Sequence, residues 1–329
     1  MKYKMQSKLF KNPNFSSINQ LAKLRIPFVF VINFAKTDIR LFPIPANTND
    51  ILYKFPNSTN CVKTKNSQNI NLSIQETDFE NYKQKFSYIQ NKIKEGKITQ
   101  INLTQASPIT IDKTLKEIYF ASNALYKLYL PNHFIVFSPE TFVKIENNTL
   151  ITHPMKGTID ASIKNAEENI LNDKKEIEEH QKVVAMVKSE FSNLSENVWV
   201  ERSRYISKIK TKTKTLLQVS SEICAKLQPN WQDNLGDLLN SILPAASICG
   251  VPKNEAIEII NKIEGYDRGF YSGVMGIFTG ESLDSGVMIR FIEKNGENYF
   301  YKSGGGITEL SDVEKEFSEL KNKIYVPIY

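Results

Sequence analysis

An α+β fold is predicted for this chain of 329 residues. Stretches with a strand's period of two are interspersed with stretches of helical period, without the regular β-α order that a parallel sheet requires. With 41% hydrophobic and 24% charged residues, the chain carries enough apolar surface to bury a large core. No Pro/Gly/Ser-rich linker, low-complexity tract or internal repeat divides it, so one domain spanning residues 1–329 is expected.

The elements follow from local pattern. Strand-like runs at 27–34 and 38–42 stand among polar Asn, Ser and Thr stretches that read as loops. A helix is predicted over 78–94, stopping at Glu95-Gly96, with a strand over 98–104. Apolar runs at 134–137, 142–146 and 150–152 predict successive strands, the last two joined by an Asn147-Asn148 turn. At Asn172 or Asp173, either able to cap, a helix begins with Ile177, Val183, Val184 and Val187 along one stripe. Strands are expected within 199–217, helices at 234–243 and 254–263, strands at 271–278, 286–291 and 299–302, and a last helix over 312–325.

Composition narrows the function. Cys61, Cys224 and Cys249 are too widely spaced for a disulfide framework or a zinc signature. His133, His153 and His180 have no Cys or second His at ligand spacing, so any metal is expected on carboxylates. The net charge of +6 suits an anionic partner. In the basic run, Lys208, Lys210, Lys212 and Lys214 alternate with Ile209, Thr211 and Thr213, which reads as a strand with a solvated lysine face. No aromatics are interleaved for base stacking, so no nucleic acid is expected. Residues 1–12 carry basic side chains without an apolar signal core, and no apolar run reaches spanning length, so a cytoplasmic protein without membrane contact is expected.

Several residue groups have chemical potential. In Thr152-His153-Pro154-Met155-Lys156-Gly157-Thr158, a proline fixes the approach and a glycine lets backbone crowd a ligand, which presents Lys156 as a candidate nucleophile. Standing alone it reads as an ordinary solvated lysine, and only the rest of the chain argues otherwise. Glu176 and Glu179, and again Glu316 and Glu319, are spaced to project from one helix face, where they are either a Mg2+ site or ordinary surface glutamates. Glu314 is assigned a structural task in a Ser311-x-x-Glu314 capping box. Ser303-Gly304-Gly305-Gly306 reads as a loop able to turn amides toward an anion, or as a mere turn. Arg290, read within an apolar strand, needs an anionic partner, and Tyr271 either donates to the same anion or packs.

In order along residues 95–325, the motifs resemble those of the chorismate-utilising enzymes, the family of anthranilate synthase component I, aminodeoxychorismate synthase component I, isochorismate synthase and salicylate synthase. The resemblance rests on Gln100-Ile101-Asn102-Leu103-Thr104, Ser138-Pro139-Glu140, Pro154-Met155-Lys156-Gly157-Thr158, Leu243-Pro244-Ala245-Ala246-Ser247 with Gly250-Val251-Pro252-Lys253, Arg268-Gly269-Phe270-Tyr271-Ser272-Gly273, Ile289-Arg290 and Gly304-Gly305-Gly306-Ile307. It implies two packed antiparallel sheets with helices outside, a chorismate-binding core over 95–325 and a divergent, shortened N-terminal part over 1–75.

It also implies roles. Glu176, Glu179, Glu316 and Glu319 match the Mg2+ site, with Glu179 and Glu319 as direct ligands. Tyr271, Arg290, Lys323, Thr158 and the amides of Gly304, Gly305 and Gly306 match positions that hold substrate. Glu140 matches a general acid, which needs a raised pKa to keep its proton. Lys156 stands where anthranilate, isochorismate and salicylate synthases resemble Pro-x-Ala-Gly-Thr, and a lysine there implies aminodeoxychorismate synthase chemistry. The amine attacks ring carbon 2, and ammonia from a separate glutaminase subunit then adds at carbon 4. That requires a neutral amine, which burial would favour. Gln100 stands where water-using members have a lysine, and glutamine cannot activate water.

The implied product, 4-amino-4-deoxychorismate, belongs to p-aminobenzoate and folate synthesis. The alternatives are anthranilate synthase component I and a chorismate-binding regulator without turnover. Departures from the pattern fall in Val184-Ala185-Met186-Val187-Lys188-Ser189-Glu190, at Gln218 in place of a histidine, and at Ala246 and Cys249.

Overall fold

A computed structural model describes residues 9–61, 70–75, 78–210 and 215–328. Lys212 and Lys214 of the basic run, and residues 1–8, lie outside the described residues. Strands are numbered along the chain. One sheet runs β11 (Met155–Asp160), β13 (Thr215–Lys226), β10 (Thr149–Thr152), β9 (Thr141–Glu146), β16 (Leu283–Val287), β15 (Val274–Phe278), β1 (Phe28–Ile32), β2 (Ile39–Pro43), with β12 (Val198–Lys210) on β13. The other runs β14 (Gly250–Val251), β6 (Gln100–Ile111), β18 (Asn298–Thr308), β17 (Phe291–Asn295), β8 (Phe134–Ser138), β7 (Tyr126–Leu130), β3 (Leu52–Phe55), β4 (Ser58–Thr59), with β5 (Leu72–Ile74) on β6. The strands pair antiparallel, and the expected α+β architecture of two sheets with outer helices is observed.

Period two explains why these sheets face each other. In β1, Val29 and Val31 enter a cluster with Phe134, Val136, Met275 and Phe291, drawn from both sheets. Phe28, Phe30 and Ile32 point the other way, into a cluster with the helical residues Ile18, Leu21, Leu235 and Leu239. β8 does the same on the second sheet: Ile135 and Phe137 turn outward to Leu115, Ile118 and Tyr119. Both faces of the central strands are therefore covered, which is why they read as unbroken apolar runs.

The α-helices are α1 (Phe15–Lys23), α2 (Phe79–Lys94), α3 (Leu115–Ala121), α4 (Ala166–Asn172), α5 (Lys174–Ser192), α6 (Leu235–Ile242), α7 (Lys253–Ile263) and α8 (Val313–Asn322). Asp78 caps α2 and Asp173 caps α5, each accepting the amide three residues on. Asn147 and Asn148 take the left-handed conformation that closes the β9-β10 hairpin.

Five expectations are corrected. Residues 15–23 are helix, capped by Asn14, where loops and strands were expected. Gly304, Gly305 and Gly306 lie inside β18, opposite Thr104, Leu103 and Asn102, so they form a strand and not a loop. Arg290 sits in the turn from β16 to β17 with φ +55°, because the chain crosses there from one sheet to the other. The last helix is shorter than 312–325, and residues 323–328 form no helix. Its cap is Asp312, and Ser311 bonds Glu316 instead of boxing with Glu314, since Asp312 already accepts the Lys315 amide.

Candidate active site

Lys156 owes its direction to a β-bulge. Met155 faces Ser220 and Thr158 faces Gln218, so β11 inserts one extra residue against β13, with Gly157 at φ +82°. The bulge aims the Lys156 ammonium at α5, where it lies 2.9 Å from Glu179 Oε2. A side chain on Gly157 would also stand 3.0 Å from Glu176 Oε2, so the glycine makes room for the second carboxylate of that helix.

The opposite wall is β18 and α8. Lys156 Nζ is 3.7 Å from where a Gly306 Cβ would be, and Glu316 Oε2 is 3.4 Å from the equivalent point on Gly305. Lys323 ties the wall together, donating to Gly304 O at 2.9 Å and pairing with Glu319 Oε1 at 2.7 Å. Burial pushes the Glu319 carboxyl up, but Lys323, with Lys156 and Arg290 beyond it, outweighs that and holds it below the usual range. One cleft thus receives Lys156, Lys323 and four glutamates from two helices.

Glu140 follows β8, and its pKa is raised by burial against the pull of Ser247, Arg290 and Lys323. The Ser247 hydroxyl meets Glu140 Oε1 at 2.5 Å. Ser247 belongs to the Leu243-Pro244-Ala245-Ala246-Ser247 motif but carried no role in the sequence. The Arg290 guanidinium stacks 5.4 Å from the Tyr325 ring, and its buried Nε has no hydrogen-bond partner. Tyr271 is buried, and burial pushes its phenol well above the ordinary value, so it remains a donor. Thr158 is exposed on β11. Lys156 is only partly buried: its side chain is 25% exposed and ion-paired.

Other polar residues support these. Arg268 and Glu264, each 1% exposed, form a bidentate pair; Glu264 Oε1 also accepts from Thr104, while Arg268 donates to Asn102 O and Ile248 O. They fix β6 beside the glycine strand. His180, on α5, shares a 2.6 Å hydrogen bond with Ser221 Oγ, and burial, helped by Arg204 and Lys156, lowers it to about 4. Among the departures, Glu190 pairs with Lys253 at 2.5 Å, and Gln218 lies opposite Thr158.

Among the described residues, no three His, Cys, Asp or Glu side chains converge closely enough to hold a metal ion. The donor chemistry nevertheless suits a hard divalent cation, because the groups brought to the cleft are carboxylates. In the structure Glu179 is engaged by Lys156, Glu319 by Lys323 and Glu316 by Ser311.

Two packed antiparallel sheets, with paired lysines and glutamates from β11, α5 and α8 gathered beside β18, define the α+β architecture of this protein. The profile of the chorismate binding enzymes matches residues 36–328, and the chain belongs to that family. It is 39% identical over 311 residues to an uncharacterised PabA-like protein of Haemophilus influenzae, covering 94% of this chain and 95% of that one. It is 30% identical over 244 residues to anthranilate synthase component 1 of Archaeoglobus fulgidus, covering 71% of this chain and 58% of the relative. Among solved structures, it superposes on the menaquinone-specific isochorismate synthase MenF of Escherichia coli with a TM-score of 0.72 and 18% identity, over 92% of this chain and 78% of that one. That likeness concerns the fold. No helix among the described residues is long and apolar enough to cross a membrane.

Proposed function

We propose that this chain is an aminodeoxychorismate synthase component I, which aminates chorismate at ring carbon 4 with ammonia from a separate glutaminase subunit. One observation carries the reading: the bulge at Gly157 directs a lysine, not an alanine, into the cleft between Glu179 and Gly306. Lys156 Nζ forms a bond to carbon 2, electrons shift through the ring diene, and the carbon 4 hydroxyl leaves with the Glu140 proton as water. Ammonia then bonds carbon 4, the shift reverses and the lysine departs. The raised pKa of Glu140 supports its role as the acid. Arg290, Lys323 and Tyr271 bind and orient the substrate carboxylates, with the strand amides around Gly304, Gly305 and Gly306 beside them.

Glu176, Glu179, Glu316 and Glu319 would hold Mg2+, which supplies charge neutralisation for a bound carboxylate. The similarity to anthranilate synthase components favours a second reading, amination at carbon 2. The test is to incubate the chain with chorismate, Mg2+ and ammonium and identify the product by mass and chromatography. Aminodeoxychorismate, lost in Lys156→Ala, is expected. Anthranilate from the unaltered chain would overturn the proposal, and chorismate binding without product would point to a regulator.

A further inference from the structure

Two strands bulge against adjacent stretches of β13, on either side of Ser220. β11 inserts its extra residue between the partners of Gln218 and Ser220, and β12 inserts one between the partners of Ser220 and Glu222. The first bulge carries Lys156. The second carries Arg204, at φ +46°, a conformation that a residue with a Cβ adopts only when its surroundings hold it there.

What holds Arg204 is visible. Its amide donates to Ser221 Oγ at 3.0 Å, and its guanidinium donates to Ile170 O at 3.1 Å and Leu171 O at 3.0 Å, with a longer 3.5 Å contact to Glu176 O. Ile170 and Leu171 are in the last turn of α4, whose carbonyls a helix end leaves without intrahelical partners. A planar fork of donors suits a corner where several carbonyls converge. The guanidinium therefore fills the corner between α4 and α5, reaching carbonyls five and six residues before Glu176 and the carbonyl of Glu176 itself.

Ser221 joins this corner to the lysine strand. Its hydroxyl takes the Arg204 amide and shares the 2.6 Å bond with His180, which lies one residue after Glu179, while its own amide donates to Pro154 O at 3.1 Å, two residues before Lys156. One serine thus touches β12, α5 and the approach to β11.

We infer that Arg204, through the corner it fills and through Ser221, is a positioning residue that sets the register of α5 against β11, and so the placement of Glu176 and Glu179 around Lys156. This rests on reading those glutamates as functional carboxylates.

The test uses the full chain with Arg204→Gly, which suits the backbone conformation but removes the fork, and Arg204→Lys, which keeps the charge. Mn2+ binding is followed by electron paramagnetic resonance and amide exchange over residues 173–182 by mass spectrometry. Both variants are expected to bind Mn2+ about tenfold to a hundredfold more weakly, with faster exchange confined to that segment. Millimolar guanidinium should restore Arg204→Gly toward the unaltered protein. A folded Arg204→Gly protein with unchanged exchange and unchanged Mn2+ affinity overturns the inference. If the unaltered chain binds no Mn2+, the cation reading falls instead, and exchange alone decides for or against Arg204.

Discussion

Lys156 Nζ and Glu179 Oε2 lie 2.9 Å apart, so the amine that would attack the ring is held by a carboxylate that would ligate a cation. In the proposed mechanism the amine must reach a ring carbon, which it cannot do while it is held in this ion pair. Release from Glu179 must therefore precede bond formation.

Glu179→Gln is accordingly expected to make Lys156 more reactive toward an amine-labelling reagent such as acetic anhydride, by several-fold in peptide mapping, while turnover is lost with the carboxylate. Equal labelling of Lys156 in both proteins would show that Glu179 does not restrain it.

Glu140 gives a pH prediction. Its folded pKa is raised above the ordinary 4.5 by burial, so the folded protein binds this proton more tightly than the unfolded chain does. The stability this gives is fully present below the unfolded value and is lost as pH rises through the folded one. In urea unfolding, Glu140→Gln should therefore gain on the unaltered protein as pH climbs from about 4.5. Parallel stability curves for the two proteins would count against a raised carboxyl. Turnover of the variant is expected to fall by about 10²–10⁴-fold.

The buried Arg268-Glu264 pair predicts a larger stability effect. Arg268→Met leaves a carboxylate with 1% exposure that keeps its hydrogen bonds from Thr104 but loses its guanidinium partner, which costs about 3–5 kcal/mol. Adding Glu264→Gln should recover part of the loss, as measured by urea denaturation. A double variant no more stable than the single one would mean that the pair's charge is not what the fold depends on.

The parts of the fold readable in the sequence were those with strong period or fixed turn chemistry. Asp78 and Asn147-Asn148 set their own local structure, and β1 and β8 were plain as apolar runs. The α1 segment was missed because its stripe of Ile18, Leu21 and Ala22 is short and follows polar residues. Gly304, Gly305 and Gly306 misled because glycine signals a turn locally, whereas here they lie within a strand, where close approach of Thr104 and Asn102 demands glycine at Gly304. Of the site, residue type and spacing singled out Lys156 and the glutamates as candidates, but only the family resemblance gave them roles. The Gly157 bulge, the Ser247 contact and Arg204 were not legible, because each depends on pairing between segments far apart in sequence.

At Gly157 backbone conformation and space make the same demand. At φ +82°, an alanine costs about 1–2 kcal/mol from backbone conformation alone, and its Cβ would press on Glu176 Oε2 at 3.0 Å. Gly96, after α2, has φ +71° but nothing within 4 Å of an added Cβ. Gly96→Ala and Gly157→Ala should therefore lower Tm similarly, by a few degrees, yet only Gly157→Ala should weaken Mn2+ binding and product formation, because it displaces Glu176 and relaxes the bulge that aims Lys156. If Gly157→Ala lost no more activity than Gly96→Ala, the bulge would be a packing feature of β11 and not the means by which the lysine is presented.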